Sequence, residues 1–237
     1  VLKKRHFPEI LRVREIIPVS ALLAVAVICV IFCFSSSSPR AAAQSPAVDQ
    51  RLAAVKDSLA ANQQALSHYS WREQETIAVK GDVKDTKVYQ VNLGPDGEPR
   101  KVEIENVEKK KKEEYQEYGG QVAALARQYA QLDPERLQQA FQQGNVTFVP
   151  AGYEVKMVIT SYVKPNDQVT LMFDQQAKAI ESLHAKSYLD DPKDEVTVSA
   201  QYSQLPDGTN HVATMQLYGK SKDLLDTTQN SEYQKRM

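Results

Sequence analysis

Asp190, Asp191 and Asp194 spell DDxxD inside SYLDDPKDEVTVSAQY, residues 187–202. On a helix, positions i, i+1 and i+4 would face one mouth, where three carboxylates can share magnesium with a diphosphate. Pro192 sits inside this motif, lacks an N–H, clashes with a preceding helical turn, and biases Asp191 away from helical dihedrals. The flanking residues repeat every two positions, not every 3.6. The spacing therefore predicts a strand-to-strand loop, with all three aspartates exposed and at most a weak calcium contact where they crowd.

The other chemistry-bearing types are scattered. His68, His184 and His211 lie far apart, with no spacing that would gather a zinc ion. No nucleophile elbow, Walker loop or dinucleotide fingerprint is present, so the residues predict neither an enzyme nor a cofactor. Asn145-Val146-Thr147 fits a glycosylation sequon but falls where strand patterning begins. Asp and Gly in Gly81-Asp82, GPDGEP (94–99) and LPDGTN (205–210) mark turns.

The elements that must position these residues follow a leader. Lys3, Lys4, Arg5, Arg12 and Arg14 precede an apolar run from Ile16 to Phe34, and Ala41 and Ala43 supply an A-x-A pattern. Residues 1–43 read as a secretory signal peptide, or as an uncleaved anchor, since about 20 apolar residues span a bilayer. Both cysteines, Cys29 and Cys33, lie there, flanked by Ile28 and Phe32, which do not suit lipidation. Residues 44–237 are thus expected to be exported, without disulfides or thiol chemistry. Removing residues 1–43 takes away six Lys/Arg and two Asp/Glu, which moves the net charge from −1 to −5. That balance argues against nucleic acid as a partner.

Within 44–237, Val48, Leu52, Val55 and Leu59 draw one stripe of a helix. Strands are expected near Trp71–Lys80, Thr86–Leu93 and Lys101–Val107. A helical insert at about 108–143 follows. Its first part, EKKKKEEYQEY, pairs opposite charges at i,i+4 and reads as an exposed helix. Gly119-Gly120 is expected to interrupt it, and Val122, Leu125, Tyr129 and Leu132 form the next core-facing stripe. Asp133 and Pro134 are expected to start a short helix that ends at Gly144. From Asn145 the chain alternates at period two through several antiparallel strands, with one further strand and a loose tail at the end.

This order resembles the periplasmic lipoprotein-carrier superfamily, most locally in QVTLMFDQQAKAIESLHAKSYLDDPKDEVTVSAQYSQLPDG (168–208). The resemblance implies an α+β fold: a single curved antiparallel sheet, a half-barrel, with helices packed on its concave face. It implies a lipid or lipoprotein acyl chain as ligand, held without enzymatic chemistry. Tyr153, Met157, Ile159, Leu171, Phe173, Val198 and Tyr202 are the expected apolar wall, and Arg72 the candidate for the carriers' functional arginine. The same side chains would equally serve as a filled core. The chain would then be an envelope sensor or protein-interaction module, contacting a partner through Glu108–Tyr118. An exported hydrolase is the third reading.

Overall fold

The computed structural model describes residues 46–95, 97–108, 113–130 and 132–236. All belong to one unit, Gln44–Met237, and the leader lies outside the described residues. The elements are α1 (Pro46–Leu66), β1 (Tyr69–Val79), β2 (Asp82–Leu93), β3 (Pro99–Glu108), α2 (Glu113–Ala130) and α3 (Pro134–Gln142). Then come β4 (Val146–Ala151), β5 (Glu154–Thr160), β6 (Gln168–Asp174), β7 (Ala179–Tyr188), β8 (Glu195–Gln204), β9 (Asn210–Gly219) and β10 (Leu224–Lys235).

The strands form one open, curved antiparallel sheet of ten, in the order β3-β2-β1-β10-β9-β8-β7-β6-β5-β4. Strands β4 to β10 are a continuous meander, because each short turn returns the chain beside its predecessor. β1 then pairs with β10, so the first three strands extend the sheet from its far side. The two edges, β3 and β4, are consecutive in sequence, and α2 and α3 connect them.

One face of the sheet is covered by the three helices. In β5 the residues Val155, Met157 and Ile159 are buried, and in β6 Val169, Leu171 and Phe173. All of these but Val155 pack into one cluster with Leu52 and Val55 of α1, Val122, Leu125 and Tyr129 of α2, and Leu137 and Phe141 of α3. The expected stripes on α1 and α2 are these contacts. Asp133 caps α3 by accepting from the backbone N–H groups of Glu135 and Arg136, both at 2.8 Å.

Three expectations need correction. Gly119-Gly120 does not break the insert: α2 runs through both. Glycine disfavours a helix interior, but tertiary packing prevails, because Tyr118 and Val122 close onto Gly219 at the end of β9. Second, the first part of the insert is not a wholly solvated helix, since Tyr115 is buried and Tyr118 half-buried; Lys109–Lys112 lie outside the described residues. Third, the expected last strand is present but leaves no loose tail before Arg236: β10 takes in Leu224–Lys235, a 12-residue strand inside the sheet whose inward residues include Asp226 and Thr228.

Candidate functional site

Of the expected wall residues, Met157, Ile159, Leu171, Phe173 and Val198 are buried on the helix-covered face. Met157 lies opposite Leu171, which lies opposite Leu183, so three strands present a contiguous apolar floor. Tyr202 is half-buried at a bulge in β8, where burial pushes its phenol up to about 12. Tyr153 departs from the expectation. It is 71% exposed, because β5 begins at Glu154 and Gly152-Tyr153 form the turn before it. Arg72 departs too. Alternation on β1 buries Trp71 and Glu73 and turns Arg72 to the other face, 3.2 Å from Glu105.

Above the floor, Tyr129, Leu137 and Phe141 fill the space under α2 and α3. Open volume lies instead along α1. A cleft of about 620 Å³ runs between Ala54, Ser58, Ala61 and Asn62 on one side and Lys178, Thr209 and Asn210 on the other. A second cleft, of about 330 Å³, is lined by Arg51, Val55, Phe148, Val155, Phe173 and Lys178, among others. The two share Gln50, Ala54 and Lys178. α1 itself is lightly attached. Only Leu52 and Val55 are buried, and its polar ties are Lys56 to Gln138 (3.2 Å), Ser58 to the Lys178 carbonyl (2.5 Å) and Asn62 to the Asn210 backbone (2.6 and 2.8 Å).

The DDxxD residues occupy the β7–β8 loop, as the proline dictates. Asp190 and Asp191 are exposed, and Asp191 accepts from the Lys193 N–H at 2.8 Å. Asp194 is half-buried, against expectation, because Tyr118 of α2 donates to it at 2.7 Å. The hydroxyl rises to about 12 through burial and that carboxylate. The three aspartates do not converge, and among the described residues no group of three His, Asp or Glu side chains is placed to hold a metal ion. His68 and His184 are exposed, while His211 is buried beside Tyr233, and burial lowers its pKa.

Sequence reasoning missed a polar seam on the same inner face, between β2, β1 and β10. Glu73, Asp85 and Asp226 are buried there, with Glu75 half-buried. Lys101 of β3 pairs with Glu73, Lys87 lies 3.4 Å from Asp85, and Tyr89 donates to Glu75 at 3.2 Å. Burial and the neighbouring Glu75 push Asp226 up to about 7. The signal was present as acids at every second position, Glu73 and Glu75, in register with an inward Trp71.

The fold and these cavities define an open half-barrel roofed by helices, with an apolar floor on one side and a polar seam on the other. No family model matches the chain, and no curated protein matches its sequence. Similar solved structures include a DUF1329 family protein from Desulfovibrio piger, at TM-score 0.40 and 11% identity over 78% of this chain and 92% of that one. A LolA superfamily protein from Nitrosomonas europaea has TM-score 0.38 and 9% identity over 78% and 94%. A putative outer membrane lipoprotein-sorting protein domain from Vibrio parahaemolyticus has TM-score 0.37 and 8% identity over 76% and 91%.

Proposed function

We propose that residues 44–237 form an exported, periplasmic, non-enzymatic carrier that holds an acyl chain, from a lipid or a lipoprotein, between α1 and strands β4 to β6. The observation that carries this reading is the 330 Å³ cleft. Its wall is Val55, Phe148, Val155 and Phe173, and Arg51 and Lys178 also line it. An apolar slot with cations beside it suits a single-chain amphiphile with an anionic head, because the chain loses its water while the head keeps a counter-charge. Phe173 stands on the apolar floor of Met157 and Leu171, so outward movement of the lightly attached α1 would lengthen the slot over that floor.

Native mass spectrometry of the purified domain, with uptake of a fluorescent fatty acid, tests this. Co-purified lipid and saturable uptake are expected, with uptake lost in Phe173→Asp. A clean apo mass together with no uptake overturns the reading. The filled interior beneath α2 and α3 favours, in that event, an envelope module that contacts a protein partner.

A further inference from the structure

Six buried side-chain polar atoms have no hydrogen-bond partner among the described residues: Trp71 Nε1, Asp85 Oδ1, Tyr115 OH, His211 Nδ1, Asp226 Oδ1 and Asn230 Oδ1. They come from β1, β2, α2, β9 and β10, and none from strands β4 to β8. Buried polar groups are satisfied in folded proteins almost without exception, and ordered water or a ligand supplies what the chain does not. Their concentration on α2 and on the adjacent strands β9, β10, β1 and β2 marks a place that something polar occupies.

The chemistry of the occupant follows from what is unmet. Three of the six atoms are side-chain oxygens of Asp85, Asp226 and Asn230; they accept, except that the Asp226 carboxyl, hydrogen-bonded to Glu75, keeps its own proton below about pH 7. The charges facing Asp226 and its surroundings are Glu73 and Glu75 of β1, Asp85 and Lys87 of β2 and Lys101 of β3, with the phenols of Tyr89 and Tyr115. Among the described residues, four carboxylates thus face two ammonium groups. Lys101 is engaged by Glu73 and Lys87 by Asp85, and no ion pair among the described residues reaches Asp226. Tyr115, 5% exposed, stands close enough to Asp85 and Lys87 to feel both charges, yet its hydroxyl has no partner.

We propose that the inner face of the β1–β2–β10 seam is a binding site for an organic cation bearing a primary ammonium group. Such a group brings three N–H donors and a positive charge to a place short of both. The fold already seats one ammonium nearby, since Lys101 Nζ lies 5.4 Å from the centre of the Tyr89 ring, at cation–π distance. Asp226 and Glu75 offer the next position inward. An elongated amine matches this layout better than a compact metal ion, because the carboxylates are strung along two strands and do not converge. On the β3 side of the seam the Lys101 side chain is 40% exposed. This site is separate from the acyl cleft and does not depend on that reading.

Trp71, the only tryptophan, lies in the seam with its indole N–H unpartnered, so its fluorescence reports occupancy. The test titrates the purified domain with cadaverine, with sodium chloride at matched ionic strength and choline, which has no N–H, as comparisons. A saturable change with cadaverine, weaker with choline, is expected. It should tighten as pH rises from 6 to 8, because the bound cation favours the ionised form of Asp226, and a proton leaves on binding. Asp226→Asn and Glu75→Gln should each weaken binding about 10-fold or more, the loss of one charge-assisted contact. Fatty-acid uptake is measured in parallel: unchanged uptake in these variants shows that they fold and that the two sites are independent. If Asp226→Asn does not fold, Glu75→Gln carries the test. No saturable response, an equal response to sodium chloride, or unweakened binding in a variant that folds overturns the proposal and leaves water as the occupant.

Discussion

Asp226 shows how far a side chain's position can change its chemistry. Its carboxyl is held near 7 by burial first and by Glu75 second, with Lys101 pulling the other way. Below the unfolded value of about 3.8, both states carry the proton and the residue is neutral to stability. Between there and about 7 the unfolded chain ionises and the native one does not, so stability declines as pH rises, and the loss is complete above the folded pKa. Asp226→Asn should therefore match wild type at pH 4 and exceed it at pH 8, by on the order of 2 kcal/mol in denaturant melts. A difference constant across pH would refute the role assigned to ionisation. The DDxxD aspartates make the opposite case. Asp190→Asn and Asp191→Asn should shift stability by less than about 0.5 kcal/mol, as exposed substitutions do. Asp194→Ala, which removes the acceptor of the Tyr118 hydroxyl and leaves it only the Ser221 N–H at 3.3 Å, should cost about 1 kcal/mol. Pro192 made the loop legible from the sequence. Nothing in the sequence told Asp194 from its neighbours, because its partner lies 76 residues away.

At the scale of elements, legibility followed burial pattern. Helix α1 and strands β5, β6 and β8 bury one apolar face, so their periodicity announced them, while α3 was announced by its Asp133-Pro134 start and Gly144 end. β10 buries Asp226 and Thr228, and β1 buries Glu73; their inward faces are polar, and the polar seam was missed for that reason. Likewise Gly119-Gly120 looked like a break, because local propensity contains no information about Gly219 across the interface. An added Cβ at Gly219 would stand 2.6 Å from the Tyr118 ring and 2.9 Å from Val122, whereas one at Gly120 meets nothing within 4 Å. Gly219→Ala should thus destabilise by about 1 to 3 kcal/mol by prising α2 from β9. Gly120→Ala should stabilise by up to about 1 kcal/mol through helix propensity. Thermal melts of the two variants should move in opposite directions. For α1, the proposed lid, cysteines introduced at Ser58 and Lys178 and joined by a short bifunctional crosslinker would pin the helix where Ser58 already meets the Lys178 carbonyl. Fatty-acid uptake should fall about 10-fold on crosslinking while the melting temperature does not fall. Undiminished uptake would remove the lid from the mechanism.

The whole molecule depends on one seam. The meander from β4 to β9 and the three-strand unit β1 to β3 meet through β10 and through the α2–α3 connection over the inner face. β10 does this unevenly: residues Leu224 to Gln229 pair with both β9 and β1, while Asn230 to Lys235 pair with β1 alone. The first half therefore carries the continuity of the sheet, and the second half mainly brings Tyr233 onto Trp71, stacked at 5.5 Å. Two truncations separate these roles. Removing residues 230–237 should leave cooperative unfolding with a lower midpoint, and should alter Trp71 emission, because the indole loses its stacking partner and gains water. Removing residues 224–237 should abolish cooperative unfolding, since β1 to β3 would keep no strand partner in the meander, and two or three exposed strands are marginal without a packed face. Circular dichroism melts and Trp71 fluorescence read both outcomes. If the longer truncation still unfolded in one transition with native-like emission, the helices and not β10 would be what joins the two strand groups. The apolar cleft and the polar seam would then belong to units joined by helix packing alone.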